Sequence, residues 1–386
     1  MHTKKSLQGN APAGNREAGF TLIEVLVGLA LSMLSMLIIL QLFSISDARK
    51  RTTTGAAEAQ QTANVSIYQL GRTVRLAGAT LTQASSIWGC PIQAFRGGVQ
   101  ILPAAAAFPA PFAGVNQTVR AIPVLILPAA APDGQSDVIV VIAGNSEIGQ
   151  AELQLVGPPK ASGLTLQRSN GVKAQDLILM TSPSSVANCQ IAQVDPTFNA
   201  TTAPNTLPLG TTGTTYNTAA GLAGGIYNQN SVALHLGATP LFTMFGINAN
   251  NSLEQFDLLN LSGTATSVIA DGVFDMRARY GVVDAAGNGP ITWVSPTTAG
   301  WTVADLTAGT AAALALVDRI RAIRMSIVFR STEPVKDVSP PTEYIMFPET
   351  NPITVAIPTA NQLFRYQVYD SVIPLRNLRY VPNPRT

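Results

Sequence analysis

The 386-residue sequence has little histidine, little charge and two cysteines. Apart from His2 near the N-terminus, the histidine content is His235, which lies in the apolar run Val-Ala-Leu-His-Leu. One imidazole cannot form a His-Glu-x-x-His zinc site, and the sequence contains no Walker A loop, no Gly-x-Ser-x-Gly elbow and no dinucleotide-binding glycine pattern. We therefore predict that the protein is not an enzyme, has no metal and no cofactor, and uses His235 structurally.

Charged residues make up 12% of the sequence, and the formal net charge is +2. Residues 1–19 are basic overall, and the chain beyond them has 21 basic and 21 acidic side chains. Because these charges balance, no net positive potential remains to attract a phosphate backbone, and no basic cluster alternates with aromatic residues. This balance argues against nucleic-acid binding through bulk charge.

One long apolar run, from Phe20 to Ile45, contains no proline and a single charged residue, Glu24. As a helix the run would be about 39 Å long, which is enough to cross a bilayer core of about 30 Å. A carboxylate in hydrocarbon is costly, so Glu24 requires a partner. Basic residues flank the run on both sides, and the positive-inside rule therefore fixes no orientation.

The residues Gly19-Phe20-Thr21-Leu22-Ile23-Glu24 resemble the prepilin cleavage and methylation motif of type IV pilins and type II secretion pseudopilins. The resemblance implies that a prepilin peptidase cuts between Gly19 and Phe20 and methylates the new amino terminus at Phe20. It also implies that Glu24 pairs with the terminal amine of a neighbouring subunit, which provides the counter-charge. The alternative is a plain signal anchor with a stray glutamate.

We expect three segments: a prepilin leader (1–19), an N-terminal pilin helix (20–78, with 20–45 in the membrane) and a β-rich extracytoplasmic head (79–386). Apolar residues at helical spacing predict that the helix continues beyond the membrane part, and Gly78 predicts its end. This stripe consists of Ala63, Ile67, Leu70, Val74 and Ala77. The predicted fold class is α+β, with a long helix packed on an antiparallel β-rich domain.

Short β-rich runs separated by turn residues fill the head. The predicted strands are Val124–Leu127, Asp137–Ile142, Leu153–Val156, Asp176–Met180, Leu241–Ile247, Leu253–Leu261, Ser267–Tyr280, the alternating run 323–330 and a run near residues 364–368. Two long segments, 103–116 and 197–230, are predicted loops, and the second is either a surface insertion or a binding loop.

Cys90 and Cys189 lie 99 positions apart. In an oxidising compartment such a pair is usually bridged, and the alternative is two buried thiols. For a loop of this size the chain-entropy model gives about 4.7 kcal/mol of stabilisation, less any strain in the folded state. We expect a disulfide if the head is extracytoplasmic, and the absence of Cys-x-x-Cys favours neither redox nor zinc chemistry.

The C-terminal half resembles PilW-type minor pilins in the segments 270–282, 317–325 and 364–377, which occur in the family's order. The resemblance implies a type IV pilus minor pilin that assembles through its helix and helps to prime or cap the filament tip. Implied partners are other minor pilins, the major pilin, the prepilin peptidase, the inner-membrane assembly platform and a tip adhesin. The implied location is the inner membrane, with a cytoplasmic leader and a periplasmic head, and then the pilus on the cell surface.

Three alternatives remain open from the sequence. A type II secretion pseudopilin of the J class has a similar plan, although the long leader and the C-terminal segments favour the pilus. A pilus-borne adhesin would use segment 197–230 as its contact surface. A tethered enzyme or ligand-binding domain would need convergent acidic residues around a cleft, and the sequence singles out none.

Overall fold

A computed structural model of the chain describes most of the sequence after the predicted leader. The described residues are 19–146, 152–169, 171–181, 188–210, 212–218, 221–222, 227–228, 230–261, 266–287, 289–331, 334 and 341–380. The chain divides into two compact units, one ending at Thr54 and one beginning at Gly55.

The predicted N-terminal helix is present as α1 (Leu22–Arg75). Past its end, Gly78 adopts a positive φ of 77°, and its N–H donates to the carbonyl of Ile142 at 2.9 Å. The side-chain amide of Asn377 donates to the carbonyls of Leu76 and Ala77, at 3.1 and 3.3 Å. Carbonyls just beyond the helix end are thus satisfied from a segment 300 residues away along the chain.

Within the second unit, one face of α1 packs into the β-rich core, largely as its spacing predicts. The fully buried members of the predicted stripe are Ala63, Leu70, Val74 and Ala77. Ile67 is only half-buried, and Ser66 takes the adjoining buried position. Ser66 tolerates this position because its hydroxyl donates to the carbonyl of Thr62 at 2.6 Å, within the helix itself.

The described part of the head is built from short strands, two short helices and three 3-10 turns. The strands are β1 (Ile92–Arg96), β2 (Val99–Leu102), β3 (Val124–Leu127), β4 (Val138–Ala143), β5 (Glu152–Leu153), β6 (Gly163–Thr165), β7 (Leu177–Thr181), β8 (Cys189–Gln193), β9 (Thr206–Pro208), β10 (Val232–Gly237), β11 (Leu241–Ile247), β12 (Ser252–Asp257), β13 (Ser267–Asp271), β14 (Val273–Val282), β15 (Thr292–Val294), β16 (Ile320–Arg330), β17 (Glu343–Met346), β18 (Ile353–Ala356) and β19 (Tyr366–Pro374). The helices are α2 (Val303–Thr307) and α3 (Ala311–Asp318), and the 3-10 turns are Leu81–Ile87, Thr359–Asn361 and Asn377–Tyr380.

Three larger sheets have the orders β2-β1-β8-β7-β10-β5, β13-β12-β11-β4-β3 and β15-β14-β16-β19, and the pairs β17–β18 and β6–β9 form two small sheets. Each described strand pair is antiparallel except β1 with β8, which is parallel. The α+β prediction, with a long N-terminal helix and an antiparallel β-rich region, is confirmed.

Strand predictions are most accurate where the apolar run is short and bounded by turn residues. Both β3 and β11 have the predicted bounds, whereas the predicted strand 267–280 splits at Gly272, which has a φ of 77°. The run 323–330 is part of β16. Its alternating pattern predicts a strand with one buried face, but both faces are largely buried. The hairpin β17–β18 covers the second face, where Tyr344, Met346 and Phe347 cluster with Val328.

The predicted loop 197–230 is less of a surface insertion than its composition suggests. Its described residues include β9, and Leu207, Leu209 and Tyr216 are buried. Asn217 exchanges hydrogen bonds with the backbone of Gln193, at 2.6 and 2.8 Å. The segment is therefore anchored by scattered apolar and amide side chains that its threonine- and glycine-rich composition conceals.

The predicted disulfide between Cys90 and Cys189 is present, with the Cα atoms 5.8 Å apart and both residues buried. It holds the first residue of β8 beside the segment that leads into β1, where Ile92 pairs with Cys189. The bridge therefore closes a long loop next to the one parallel strand pair described.

His235 lies in the middle of β10 and is 2% exposed. Its Nε2 is 2.7 Å from Oδ2 of Asp176, and its Nδ1 is 2.7 Å from the hydroxyl of Ser146. The same Asp176 oxygen accepts a hydrogen bond from the N–H of Lys173 at 2.7 Å. The imidazole thus ties β10 to the segments that precede β7 and follow β4.

Asp137 ties the five-stranded sheet to the four-stranded sheet. Its Oδ2 accepts from the N–H of Ala278 at 2.8 Å, and its Oδ1 accepts from the N–H of Ala129 at 3.1 Å. Burial raises the pKa of Asp137 to about 7, although these hydrogen bonds act in the opposite direction. Nearby, the N–H of Ile126 in β3 donates to the hydroxyl oxygen of Tyr280 in β14, at 2.7 Å.

We expect His235→Leu to lower the free energy of unfolding by about 3–5 kcal/mol, because the substitution leaves the carboxylate of Asp176 buried beside an apolar side chain. Urea unfolding of the chain in detergent measures the effect. The double variant His235→Leu with Asp176→Leu removes the orphaned charge and should recover part of the loss. A single variant as stable as the parent would contradict this account.

We also expect the stability of the head to fall with rising pH because of Asp137. The folded-state pKa is raised to about 7 from 3.8, so the stabilisation is complete below the unfolded value and is lost as pH rises through about 7. Thermal unfolding between about pH 5 and pH 8 measures this. Asp137→Asn should flatten the profile, and the exposed control Asp133→Asn should leave it unchanged; equal slopes in the parent and Asp137→Asn would contradict the assignment.

Candidate assembly site

The first unit presents an uncovered apolar helix. Every side chain from Gly19 to Asp47 is exposed, and Leu22–Asp47 is long and apolar enough to cross a membrane. The exposed fractions reach 79% for Leu22 and 70% for Phe43. An apolar surface of this extent needs lipid or other helices to cover it.

Glu24 lies in the first turn of α1, where it forms a capping box with Thr21. Its Oε2 accepts hydrogen bonds from the N–H of Thr21 at 3.1 Å and from the hydroxyl of Thr21 at 3.0 Å. In return, the N–H of Glu24 donates to that hydroxyl oxygen at 3.3 Å. The box satisfies orphan donors at the helix start and holds the carboxylate at the positive end of the helix dipole.

The capping box leaves part of the carboxylate available. Both bonds from Thr21 go to Oε2, and among the described residues Oε1 accepts no hydrogen bond. The group is exposed and already oriented, so a cation can reach it without rearrangement of the helix. Sequence reasoning identified Glu24 but missed Thr21, although Thr-x-x-Glu before an apolar run is the sequence signature of a capping box.

The predicted cleavage residues lie directly before the helix. Gly19 and Phe20 are not helical, and Phe20 is 86% exposed. Apart from the chain neighbours of Gly19, no atom of the described residues lies within 4 Å of the position that its Cβ would occupy. No described segment therefore covers the peptide bond between Gly19 and Phe20, and leader residues 1–18 lie outside the described part of the chain.

On the outer face of the C-terminal sheet, two arginines hold the loop that joins β17 to β18. Arg279 and Arg324 are directly opposite each other in β14 and β16, and both are nearly buried. The guanidinium of Arg279 lies 4.3 Å from the ring centre of Phe347 and donates to the carbonyls of Thr350 and Asn351. Burial, together with the neighbouring charge of Arg324, lowers the pKa of Arg279.

The acidic side chains around this sheet are also paired. Arg324 donates to Asp370 of β19 at 3.2 Å. Asp275 is 1% exposed and accepts from Arg277 at 3.0 Å and from the hydroxyl of Tyr344 at 2.8 Å. These contacts fasten the hairpin β17–β18 and the edge strand β19 to the centre of the sheet, so these charged side chains stabilise the fold.

Two family matches lie at opposite ends of the chain. Residues 14–40 match the prokaryotic N-terminal methylation motif, and residues 249–377 match type IV pilus-assembly protein W. The second match covers all of the four-stranded sheet and the hairpin β17–β18. No curated protein and no solved structure matches the chain.

These matches fit the geometry of both units. A methylation motif followed by an exposed apolar helix fits a membrane-anchored pilin. The match to a pilus-assembly family suggests pilins and pilus machinery as partners. The same matches point to a structural rather than an enzymatic protein. The sequence motif, the capped apolar helix and the C-terminal match together support a PilW-like type IV pilin.

Proposed function

We propose that the chain is a minor pilin, which enters a type IV pilus through α1 and helps to prime or cap the filament tip together with other minor pilins. The observation that carries the proposal is the capped carboxylate of Glu24 at the start of an apolar helix whose side chains from Leu22 to Asp47 are exposed. Such a helix is stable in lipid or among like helices, and its single early charge selects a cationic neighbour.

The proposed assembly step is electrostatic. Prepilin peptidase cuts between Gly19 and Phe20, methylates the new amine on Phe20, and leaves α1 on the mature chain. The positively charged amine of one subunit then meets the carboxylate of Glu24 on the next, and the free Oε1 gives it a place to bind while Thr21 retains Oε2. Because both groups lie in a low-dielectric environment, each compensates the desolvation of the other.

The proposed topology places leader residues 1–19 in the cytoplasm and residues 79–386 in the periplasm before assembly, with 20–78 as the connecting pilin helix. The Cys90–Cys189 disulfide supports a head in an oxidising compartment. The partners of the protein in this scheme are the prepilin peptidase, the inner-membrane assembly platform, the major pilin and other minor pilins, with a tip adhesin as a further partner.

A tip position follows from size. The head spans about 300 residues in this scheme, and its described residues form three larger and two small sheets. A domain of that bulk would crowd a tightly wound shaft. At the end of the filament the head has neighbouring subunits on one side only, so there is room for a large domain.

We expect the protein to be recovered from sheared pili as a chain that begins at Phe20, is one CH2 unit heavier than the unmodified chain because a methyl group replaces a hydrogen, and is two hydrogens lighter because of the disulfide. Intact mass measurement of the purified subunit reads all three changes at once. Gly19→Leu, which blocks the cut, should leave the leader attached and the protein in the membrane.

Immunogold labelling should place the same protein at filament ends. Labelling spread evenly along the shaft would contradict the tip role. Absence from pili, combined with a loss of exoenzyme secretion when the gene is deleted, would instead favour the type II secretion pseudopilin of the J class.

A further inference from the structure

The described sheets end in open edge strands that differ sharply in length and regularity. The edges β3, β5 and β15 have four, two and three residues, and β2 and β13 join their neighbours through register shifts. By contrast, β19 has nine residues and pairs with β16 without interruption. Short edges and bulges are the usual protections against unwanted strand addition, and β19 has neither.

The hydrogen-bond parity of β19 shows which backbone groups face outward. Leu375 donates to the carbonyl of Arg321 at 2.9 Å, and Ser331 donates to the carbonyl of Arg365 at 2.9 Å. In an antiparallel pair the hydrogen-bonded residues alternate, so the odd-numbered residues of β19 bond to β16. The even-numbered residues direct their N–H and C=O groups to the open edge, where the described residues provide no backbone partner: Tyr366, Val368, Asp370 and Val372.

The side chains along this edge suit a further strand. Val368 and Val372 are 36% and 52% exposed, and β-branched residues pair well across strands. Asp370, between them, forms an ion pair with Arg324 at 3.2 Å. No lysine interrupts the strand, and its proline, Pro374, is at the far end.

The charge pattern argues against a second copy of the same strand. Antiparallel self-pairing centred on Asp370 would place Val368 opposite Val372, but it would also place Asp370 directly opposite its own copy, and like charges in that position are destabilising. The pattern fits a different strand with apolar residues at i and i+4 around an uncharged or basic residue at i+2.

We propose that the open edge of β19 binds an extended segment of the head of a different pilin subunit, which adds to the sheet beside β19. This inference rests on the proposed function, since neighbouring heads are brought together by assembly of the helices. Hydrogen bonds from the backbone groups of the four outward residues provide the affinity. The alternating side chains of Val368, Asp370 and Val372 provide the specificity for the partner strand.

The test places a photo-cross-linking amino acid at Val368 or Val372 of the full chain in cells that assemble pili. The matched control is Val268, a 57% exposed valine on the bulged edge strand β13. We expect both β19 positions to cross-link to one other prepilin-type subunit, within a proline-free segment of that subunit's head, and Val268 not to do so. Products from Val268 of equal yield, products containing only this chain, or no products would overturn the proposal.

A second pair of variants separates the edge from the fold. Val368→Pro removes an outward N–H but leaves the ladder to β16, and Val368→Thr keeps the N–H and the branched shape. With the cross-linker at Val372, we expect the yield to fall about tenfold in the proline variant and to persist in the threonine variant. An unchanged yield in the proline variant would refute the proposal, and unchanged thermal unfolding confirms that the head is intact.

These outcomes also separate this inference from the proposed function. A protein found in sheared pili without cross-links from β19 refutes the edge interaction alone. A protein absent from pili in every form refutes the assembly role on which the edge interaction depends.

Discussion

The central constraint on this protein is the presence of one carboxylate at the start of an otherwise apolar helix. An ionised group that enters lipid must be compensated, and among the described residues Glu24 accepts hydrogen bonds only from the N–H and hydroxyl of Thr21. The capping box therefore does two things at once: it starts the helix and fixes the direction of the carboxylate. What remains unsatisfied is a single oxygen, and one amine on an adjacent helix is enough to satisfy it.

The head is organised so that the C-terminal end of α1 is held firmly. Asn377 binds carbonyls beyond the end of the helix, Gly78 turns the chain onto β4, and Ile373 of β19 lies against Gly71. The same sheet that receives the helix also carries the long open edge of β19. The strand that forms this edge therefore packs directly against the second-unit portion of α1 through Ile373.

The sequence predicts the local features well. The hexapeptide around Gly19, the apolar run and the short strands β3 and β11 are all encoded within a few residues, and the two cysteines allow only one intramolecular pair. Features that depend on contacts between distant residues cannot be predicted from the sequence pattern. Examples are the cover that β17–β18 places over β16 and the tie from Asp137 to Ala278, which involve partners far apart in sequence and leave no periodic signal. The capping by Thr21 is different, because its motif was present in the sequence and was overlooked.

The most direct test of the central claim compares Glu24→Gln with Thr21→Val for recovery in sheared pili, at equal membrane expression. Breaking a buried charge pair costs about 3–5 kcal/mol, so we expect Glu24→Gln to lower recovery by about a hundredfold or more. Thr21→Val removes the capping hydroxyl but keeps the carboxylate, and it should still enter the filament. Recovery of Glu24→Gln at the parental level would show that the carboxylate does not pair with a neighbouring amine.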